Sequence, residues 1–222
     1  MNEKDQKEFW KDESLKYFER NYKGKDIRSL PPNPLIEQIL TPPLDLTAGC
    51  KILEIGCGAA NNLSYLHKIF SAKRCVGTEP SEEVIKILCT QFSELEFVCC
   101  DSSHLCFESD EFDLVVIRSV LHWIDRNYIL QTLGEAIRCC KKYLIISDFS
   151  PVNKYSVVYH HNSTYRTYKM DYQHLIEGTG YMRCIKSFYS NADNEWKAIK
   201  TALYEKIPFS KSFPLKIEKD FH

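Results

Sequence analysis

Net charge, long apolar runs and paired cysteine motifs are all missing from this chain of 222 residues. Each absence closes off a class of function. Lys and Arg number 29 against 30 Asp and Glu. So near a balance leaves no basic stripe for a phosphate backbone, and nucleic acid is not expected as a partner. No apolar stretch reaches membrane-spanning length, and the opening MNEKDQKEF is too charged for a secretory leader. A cytoplasmic setting without membrane contact is the expectation. The ten cysteines contain no Cys-x-x-Cys, and the neighbours Cys99-Cys100 and Cys139-Cys140 do not readily point into one tetrahedral site. They read as free thiols in a reducing compartment, packed as small hydrophobes. His160-His161 has no third ligand at a recognisable spacing, so no metal is expected. Repeats and low-complexity tracts are absent. What remains is a globular composition, 44% hydrophobic and 13% aromatic, whose length suits one α/β domain over residues 1–222.

The most informative stretch is KILEIGCGAANN, residues 51–62. Ile52, Leu53 and Ile55 read as a buried parallel strand, which stops at Gly56-Cys57-Gly58. Two glycines one residue apart permit a sharp turn and a close approach of ligand to the main chain. Leu63, Leu66 and Phe70 then recur at helical spacing, with Asn61 and Asn62 as candidate caps. Two further absences narrow the ligand. A dinucleotide fingerprint wants a third glycine where Asn61 stands, and the Gly-Lys-Ser/Thr of a phosphate-cradling loop is missing. Glu54 stands two residues before the first glycine, where a carboxylate repels a pyrophosphate and suits a cation. Glu-x-Gly-x-Gly at the end of a first strand resembles the nucleotide-binding motif of class I S-adenosylmethionine-dependent methyltransferases. The resemblance implies S-adenosylmethionine as cofactor, with Glu54 against the charges of its methionine moiety and Gly56, Cys57, Gly58 and Asn61 around it.

The next strand exits continue the pattern. Residues 75–79 read as a second strand ending on Glu79, about twenty residues past the glycines, where a ribose-binding carboxylate is expected. Pro80 ends that strand and Ser81 is a helix N-cap, with Glu82 and Glu83 in the first turn; the resemblance adds Glu79, Pro80 and Ser81 to the cofactor set. A third strand over 95–100 is followed by Asp101-Ser102-Ser103, which resembles the adenine-contacting position of the same family. Alone, Asp101 is equally a helix cap. Residues 112–117 form the clearest strand, leading into Arg118 and LHW; FDLV followed by LHW resembles the fourth strand and exit loop of small-molecule methyltransferases. Arg118 joins the cofactor set on that resemblance. Asp125 is the expected cap of a helix whose apolar face is Ile129, Leu133, Ile137 and Cys140, and a fifth strand covers 143–147. The ordered set points to a doubly wound, Rossmann-like α/β sheet of about seven strands, mostly parallel with the last antiparallel, and helices on both faces.

Flanking segments are assigned by pattern. Residues 3–22 read as one or two amphipathic helices within a cap over 1–45, with LIEQIL as a short helix between proline clusters. The resemblance places such a segment over the cofactor, bringing Trp10 and Tyr17 to it; a helix packed on the sheet edge is the other reading. Residues 151–222 read as the acceptor side. They hold an aromatic, polar stretch over 155–172, a helix over 172–177, and strands over 182–189 and 196–207. A helix over 195–205 also fits the spacing. Residues 209–222 form a tail.

Methyl transfer from a sulfonium needs alignment and exclusion of water more than it needs acid–base help. His122 is the candidate base or acceptor-orienting group, and its alternative role is packing beside Trp123. His160, His161, Tyr168 and Asp171 are the candidate acceptor contacts. Three readings follow: a methyltransferase acting on a small-molecule hydroxyl, carboxylate or amine; a non-catalytic S-adenosylmethionine-binding or protein-interaction module; and a nicotinamide-dependent oxidoreductase, against which Glu54 and Asn61 argue. Monomer and homodimer are both compatible with the sequence.

Overall fold

The computed structural model describes residues 6–208; the expected tail over 209–222 lies outside them. In chain order the strands are β1 (Lys51–Ile55), β2 (Arg74–Glu79), β3 (Glu96–Cys99), β4 (Phe112–Arg118), β5 (Cys140–Phe149), β6 (Tyr155–Tyr159), β7 (Asn162–Lys169), β8 (Met182–Tyr189) and β9 (Ile199–Lys206). The helices are α1 (Gln6–Tyr22), α2 (Pro34–Ile39), α3 (Asn61–Phe70), α4 (Glu82–Gln91), α5 (Ile129–Cys139) and α6 (Gln173–Glu177). Seven strands form one sheet in the order β3-β2-β1-β4-β5-β9-β8. The first five are parallel, and β9 enters antiparallel to both β5 and β8. The chain runs outward from β1 to β3 and then returns to β4 on β1's other side. The crevice at a parallel sheet's carboxyl edge opens at that reversal.

The central strands are apolar on both sides because helices cover both sides. Ile52, Leu114, Val116 and Ile145 pack beneath Phe18 of α1, Ile36 of α2, Leu63 of α3 and Val84 of α4. Leu53, Val115, Ile117 and Leu144 pack against Leu133 and Ile137 of α5 and Ile176 of α6.

The structure departs from the sequence reading in a few places. The aromatic stretch after residue 154 is a hairpin, β6–β7, built on tyrosine, valine and threonine with high strand propensity. Its turn, His160-His161, carries none of the glycine or asparagine that announces a hairpin. Residues Glu195–Ala198 make a 3-10 turn, so the last strand starts at Ile199 and no helix forms over 195–205. Helix α5 begins at Ile129 rather than after Asp125, whose carboxylate accepts from the Asn127 N–H at 2.8 Å in a local turn. Cys140 opens β5 instead of ending the helix. The cap of α3 is Ala60, in the left-handed region at φ 58°, so Asn61 and Asn62 are free for other bonds. The N-terminal segment is one helix of 17 residues.

Gly77 shows how closely β2 approaches the glycine turn: a Cβ there would stand 2.6 Å from Cys57 Sγ and 3.1 Å from Phe97 Cδ1. Gly77→Ala is therefore expected to lower stability by about 1–3 kcal/mol through overpacking. Gly134, exposed in α5, provides the contrast, because a Cβ added there would meet nothing within 4 Å. Gly134→Ala is expected to raise stability by up to about 1 kcal/mol. Urea denaturation of both variants checks the pair.

Candidate active site

A cavity of about 1240 Å³, counting its open mouth, lies between α1 and the exits of β1 to β4. The glycine turn forms its floor. Gly56 and Gly58 adopt φ 69° and 53°, the left-handed region that favours glycine. A Cβ on Gly56 would meet Val120 Cγ2 at 2.5 Å, whereas the same position on Gly58 opens into free space. The Cys57 N–H donates to the Thr78 carbonyl at 2.9 Å, fastening the turn to the end of β2.

Two buried acids face this floor from the same side of the sheet, because Glu54 pairs with Gly77 and Glu79 lies two residues further along β2. Glu54 is 1% exposed. Its Oε1 accepts from Asn62 Nδ2 at 2.9 Å, while its Oε2 is buried with no partner among the described residues. Asn62 in turn accepts from the Asn33 N–H at 2.8 Å, which ties the proline-rich segment to the site. Glu79 is 5% exposed; its Oε1 accepts from the Ser14 hydroxyl of α1 and its Oε2 from the Gly58 N–H at 3.3 Å. Burial pushes both carboxyls from 4.5 up to about 7, against the pull of the Asn62 bond and the Arg118 charge on Glu54 and of the Ser14 and Gly58 bonds on Glu79.

At the exit of β3, Asp101 Oδ1 accepts from the Ser103 N–H at 2.7 Å and from the Ser103 hydroxyl at 2.5 Å. Asp101 and Ser102 line the cavity; Ser103 does not. At the exit of β4, Arg118, Ser119, Val120 and Trp123 line it, with Ser119 at φ 56°. From above, Trp10, Ser14, Tyr17, Phe18 and Tyr22 present one face of α1. Trp10 meets Trp123 edge-on at 4.9 Å. The other side of α1 rests on the hairpin: Phe9 stacks on Tyr165 at 3.8 Å, and the Tyr159 hydroxyl donates to Glu13 at 3.0 Å.

Thus the structure brings together Trp10, Tyr17, Glu54, Gly56, Cys57, Gly58, Asn61, Glu79, Pro80, Asp101, Ser102 and Arg118 around one cavity. The remaining expected site residues lie elsewhere. Ser81 sits at the N-cap position of α4 and its hydroxyl donates to Glu83 at 3.1 Å. His122 is 4% exposed, bonds Asp148 through Nδ1 at 2.7 Å, and packs between Trp123 and Phe149. The 3-10 turn over Leu121–Trp123 turns its ring to the β5 side, away from the cavity lining. His160 and His161 are exposed at the hairpin turn, with rings 3.9 Å apart. Tyr168 lies under the Arg126 guanidinium at 4.7 Å, and Asp171 accepts from the Ser150 hydroxyl at 2.9 Å beside a separate small cavity. His160, His161 and Tyr168 miss the site because the hairpin packs on the outer side of α1 and on the 3-10 turn over Leu121–Trp123, and Asp171 follows the hairpin beside Ser150. Sequence reasoning overlooked Ser14, Tyr22, Asn62 and Ser119. The helical spacing of Trp10, Ser14, Phe18 and Tyr22 was the signal that could have found two of them.

Residues 52–143 match the family model of a methyltransferase domain. A phthiotriol/phenolphthiotriol dimycocerosates methyltransferase of Mycobacterium leprae is 30% identical over 112 residues, covering 48% of this chain and 40% of that protein. The match therefore spans less than half the length of that curated relative. Among solved structures, a putative methyltransferase of Haloferax volcanii, in complex with the Trm112 methyltransferase activator, superposes with TM-score 0.70 at 16% identity, covering 92% of this chain and 100% of that one. A Burkholderia thailandensis 1,6-didemethyltoxoflavin-N1-methyltransferase gives TM-score 0.65 at 13% identity, covering 91% and 87% of the two chains. Residues 52–143 thus match a methyltransferase domain, and the relatives and solved structures support a class I S-adenosylmethionine-dependent methyltransferase with S-adenosylmethionine as cofactor.

The raised acids carry a stability consequence. Between about pH 4.5 and about pH 7 the folded chain retains protons on Glu54 and Glu79 that the unfolded chain has released. That stabilisation is complete at the acidic end and is lost as pH rises through the folded pKa. Thermal unfolding of the ligand-free protein is expected to show this component falling from about pH 5 to about pH 8, and Glu54→Gln is expected to flatten the slope. An identical slope in wild type and variant would show that Glu54 titrates normally.

Proposed function

We propose that this chain transfers the methyl group of S-adenosylmethionine to a small-molecule acceptor held beneath α1. The observation that carries the reading is Glu54, a buried carboxylate at the glycine turn with one oxygen left without a donor among the described residues. An orphaned buried acceptor costs free energy until a donor reaches it, and an ammonium group is the donor it suits. The other residues fit the same cofactor. Glu79 offers acceptor capacity for ribose hydroxyls, Asp101 and Ser102 stand at the adenine end, and Gly58 allows close approach of the ligand to the backbone. Asn61 and Pro80 border the pocket, and Trp10 and Tyr17 roof it.

When bound, the cofactor supplies a methyl group already activated on a sulfonium. The chain's own work is to orient and to exclude water. Helix α1 covers the crevice, and its Ser14 reaches the same carboxylate that is assigned to the ribose. No histidine lines the cavity among the described residues, and burial raises the Tyr22 phenol to about 12, so neither offers a base at neutral pH. This favours an acceptor that needs little deprotonation, such as an amine or a carboxylate. The balanced charge of the chain, which leaves no basic stripe for a nucleic acid, supports a small acceptor over such a polymer.

Calorimetry is expected to show binding of S-adenosylhomocysteine and none of nicotinamide dinucleotides; the reverse pattern would overturn the reading. Glu79→Ala is expected to weaken S-adenosylhomocysteine by roughly 1.5–3 kcal/mol with folding retained. Turnover on an amine or carboxylate acceptor separates an enzyme from a binding module. Cleavage within residues 6–22 by a protease is expected to slow when S-adenosylhomocysteine is added; an unchanged rate would make α1 an edge helix rather than a lid.

A further inference from the structure

The seven-stranded sheet protects both of its edges. β3 is a strand of four residues, and β8 carries Arg183 and Lys186 with a bulge between Cys184 and Lys186. Short length, charge and irregularity keep an edge strand from pairing with another chain. The β6–β7 hairpin has no such protection on its outer side. β7 lies against the 3-10 turn over Leu121–Trp123, whereas β6 pairs with β7 alone among the described residues. The sequence of β6, Tyr155-Ser156-Val157-Val158-Tyr159, holds no charge, proline or glycine.

Burial across the hairpin runs against side-chain polarity. Tyr155 pairs with Lys169 and Val157 with Thr167, so all four share one face. Thr167 and Lys169 are buried, yet Tyr155 and Val157 are 44% and 43% exposed. The polar pair lies under cover and the apolar pair outside it. On the other face Val158, opposite Arg166, is exposed as well. One more strand beside β6 carries the cover outward over Tyr155 and Val157, and meets the main-chain groups on the side away from β7.

We propose that β6 is the surface on which two copies of this chain associate, strand against strand, about a two-fold axis at Val157. The strand itself argues for a second copy as the occupant. Identical strands related by a two-fold axis run antiparallel by necessity, and each presents the same patch to the other. YSVVY reads nearly alike in both directions. With Val157 opposite itself, Ser156 meets Val158 of the other copy, and Tyr155 meets Tyr159. Lys154 then stands opposite His160, so no lysine faces a lysine. The two hairpins join into one antiparallel sheet in the order β7-β6-β6-β7. Tyr159 also holds Glu13 and Arg20 of α1, so Tyr155 of one copy braces the layer above the crevice of the other.

Sedimentation velocity of the full chain is the test. Between about 1 and 100 µM the wild type is expected to pass from monomer to dimer, as suits a small interface. Val157→Lys sets two ammonium groups together at the axis and is expected to weaken the dimer about tenfold or more. Ile185→Lys, the same kind of change on exposed β8, leaves the dimer unchanged. Circular dichroism of the dilute variants is expected to match wild type. Charge exchange reads the register. Ser156→Glu and Val158→Lys each weaken the dimer, and the two together restore it, because each glutamate then meets a lysine of the other copy. This pair decides the matter even where Val157→Lys fails to fold. A wild type that is monomeric at every concentration overturns the proposal, whatever else covers β6. So does a dimer that Val157→Lys leaves intact, a double variant that does not recover, or an assembly that grows beyond two copies.

Discussion

Two carboxylates kept almost out of water, on adjacent strands of a parallel sheet, set the terms for everything around them. A buried acid is tolerated only with donors or with a proton, and Glu54 and Glu79 use both. The donors come from separate parts of the chain. Asn62 on the first turn of α3 serves Glu54 and simultaneously holds the backbone of Asn33. Ser14 of α1 and the amide of Gly58 serve Glu79. Each acid is thereby a junction. The first joins the sheet to the proline-rich segment and the second joins it to the helix above the crevice. Glu54 Oε2 is left without a donor among the described residues, and Glu54 lines the cavity.

Helix α1 owes its place to more than its apolar face. Phe18 enters the core, but Glu13 and Arg20 turn outward and share the hydroxyl of Tyr159, with Arg20 Nη2 at 2.9 Å from it. Tyr159 also lies edge-on to Trp123 at 5.0 Å. Segments separated by more than a hundred residues in sequence therefore form one layer over the crevice. Any movement that admits a ligand past Trp10 has to disturb this layer, because Trp10 touches both Trp123 and Tyr159. Coupling between the roof and the floor follows from that geometry, since Ser14 belongs to the roof and Glu79 to the floor.

What the sequence disclosed follows from the range of the forces involved. The parallel strands were legible because double-sided burial forces apolar runs, continuous in Leu114 to Ile117 and interrupted by Glu54 alone in Ile52 to Ile55. The glycine turn was legible because positive φ at Gly56 and Gly58 selects residue type locally. The sheet's antiparallel last pair was legible as strands, with β9 offset by the 3-10 turn before it. The hairpin was not, since its turn lacks the residues that mark one. Ser14 was hidden because a serine in a helix says nothing of what it will meet 65 residues away. His122 misled for a related reason. Its position after the fourth strand matches a site residue, but the 3-10 turn rotates its ring toward Asp148, which also accepts from the Leu121 amide at 2.8 Å.

That rotation bears on chemistry. With His122 committed to Asp148 behind the lining, the polar side chains that line the cavity among the described residues are carboxylates, one guanidinium, amides, thiols and hydroxyls, beside aromatic rings. Glu54 and Glu79 sit near neutrality in the ligand-free state, but both are assigned to holding the cofactor, and ligand donors arriving at them stabilise the ionised form and remove their basicity. On the proposed reading the catalytic contribution that remains to the chain is geometric. On that reading a roof of Trp10, Tyr17 and Tyr22 excludes water and the glycine turn and Glu79 hold the cofactor, while Arg118 is the one Lys or Arg among the described lining residues. Rate, on the same reading, comes from alignment and desolvation rather than from acid–base help by the chain.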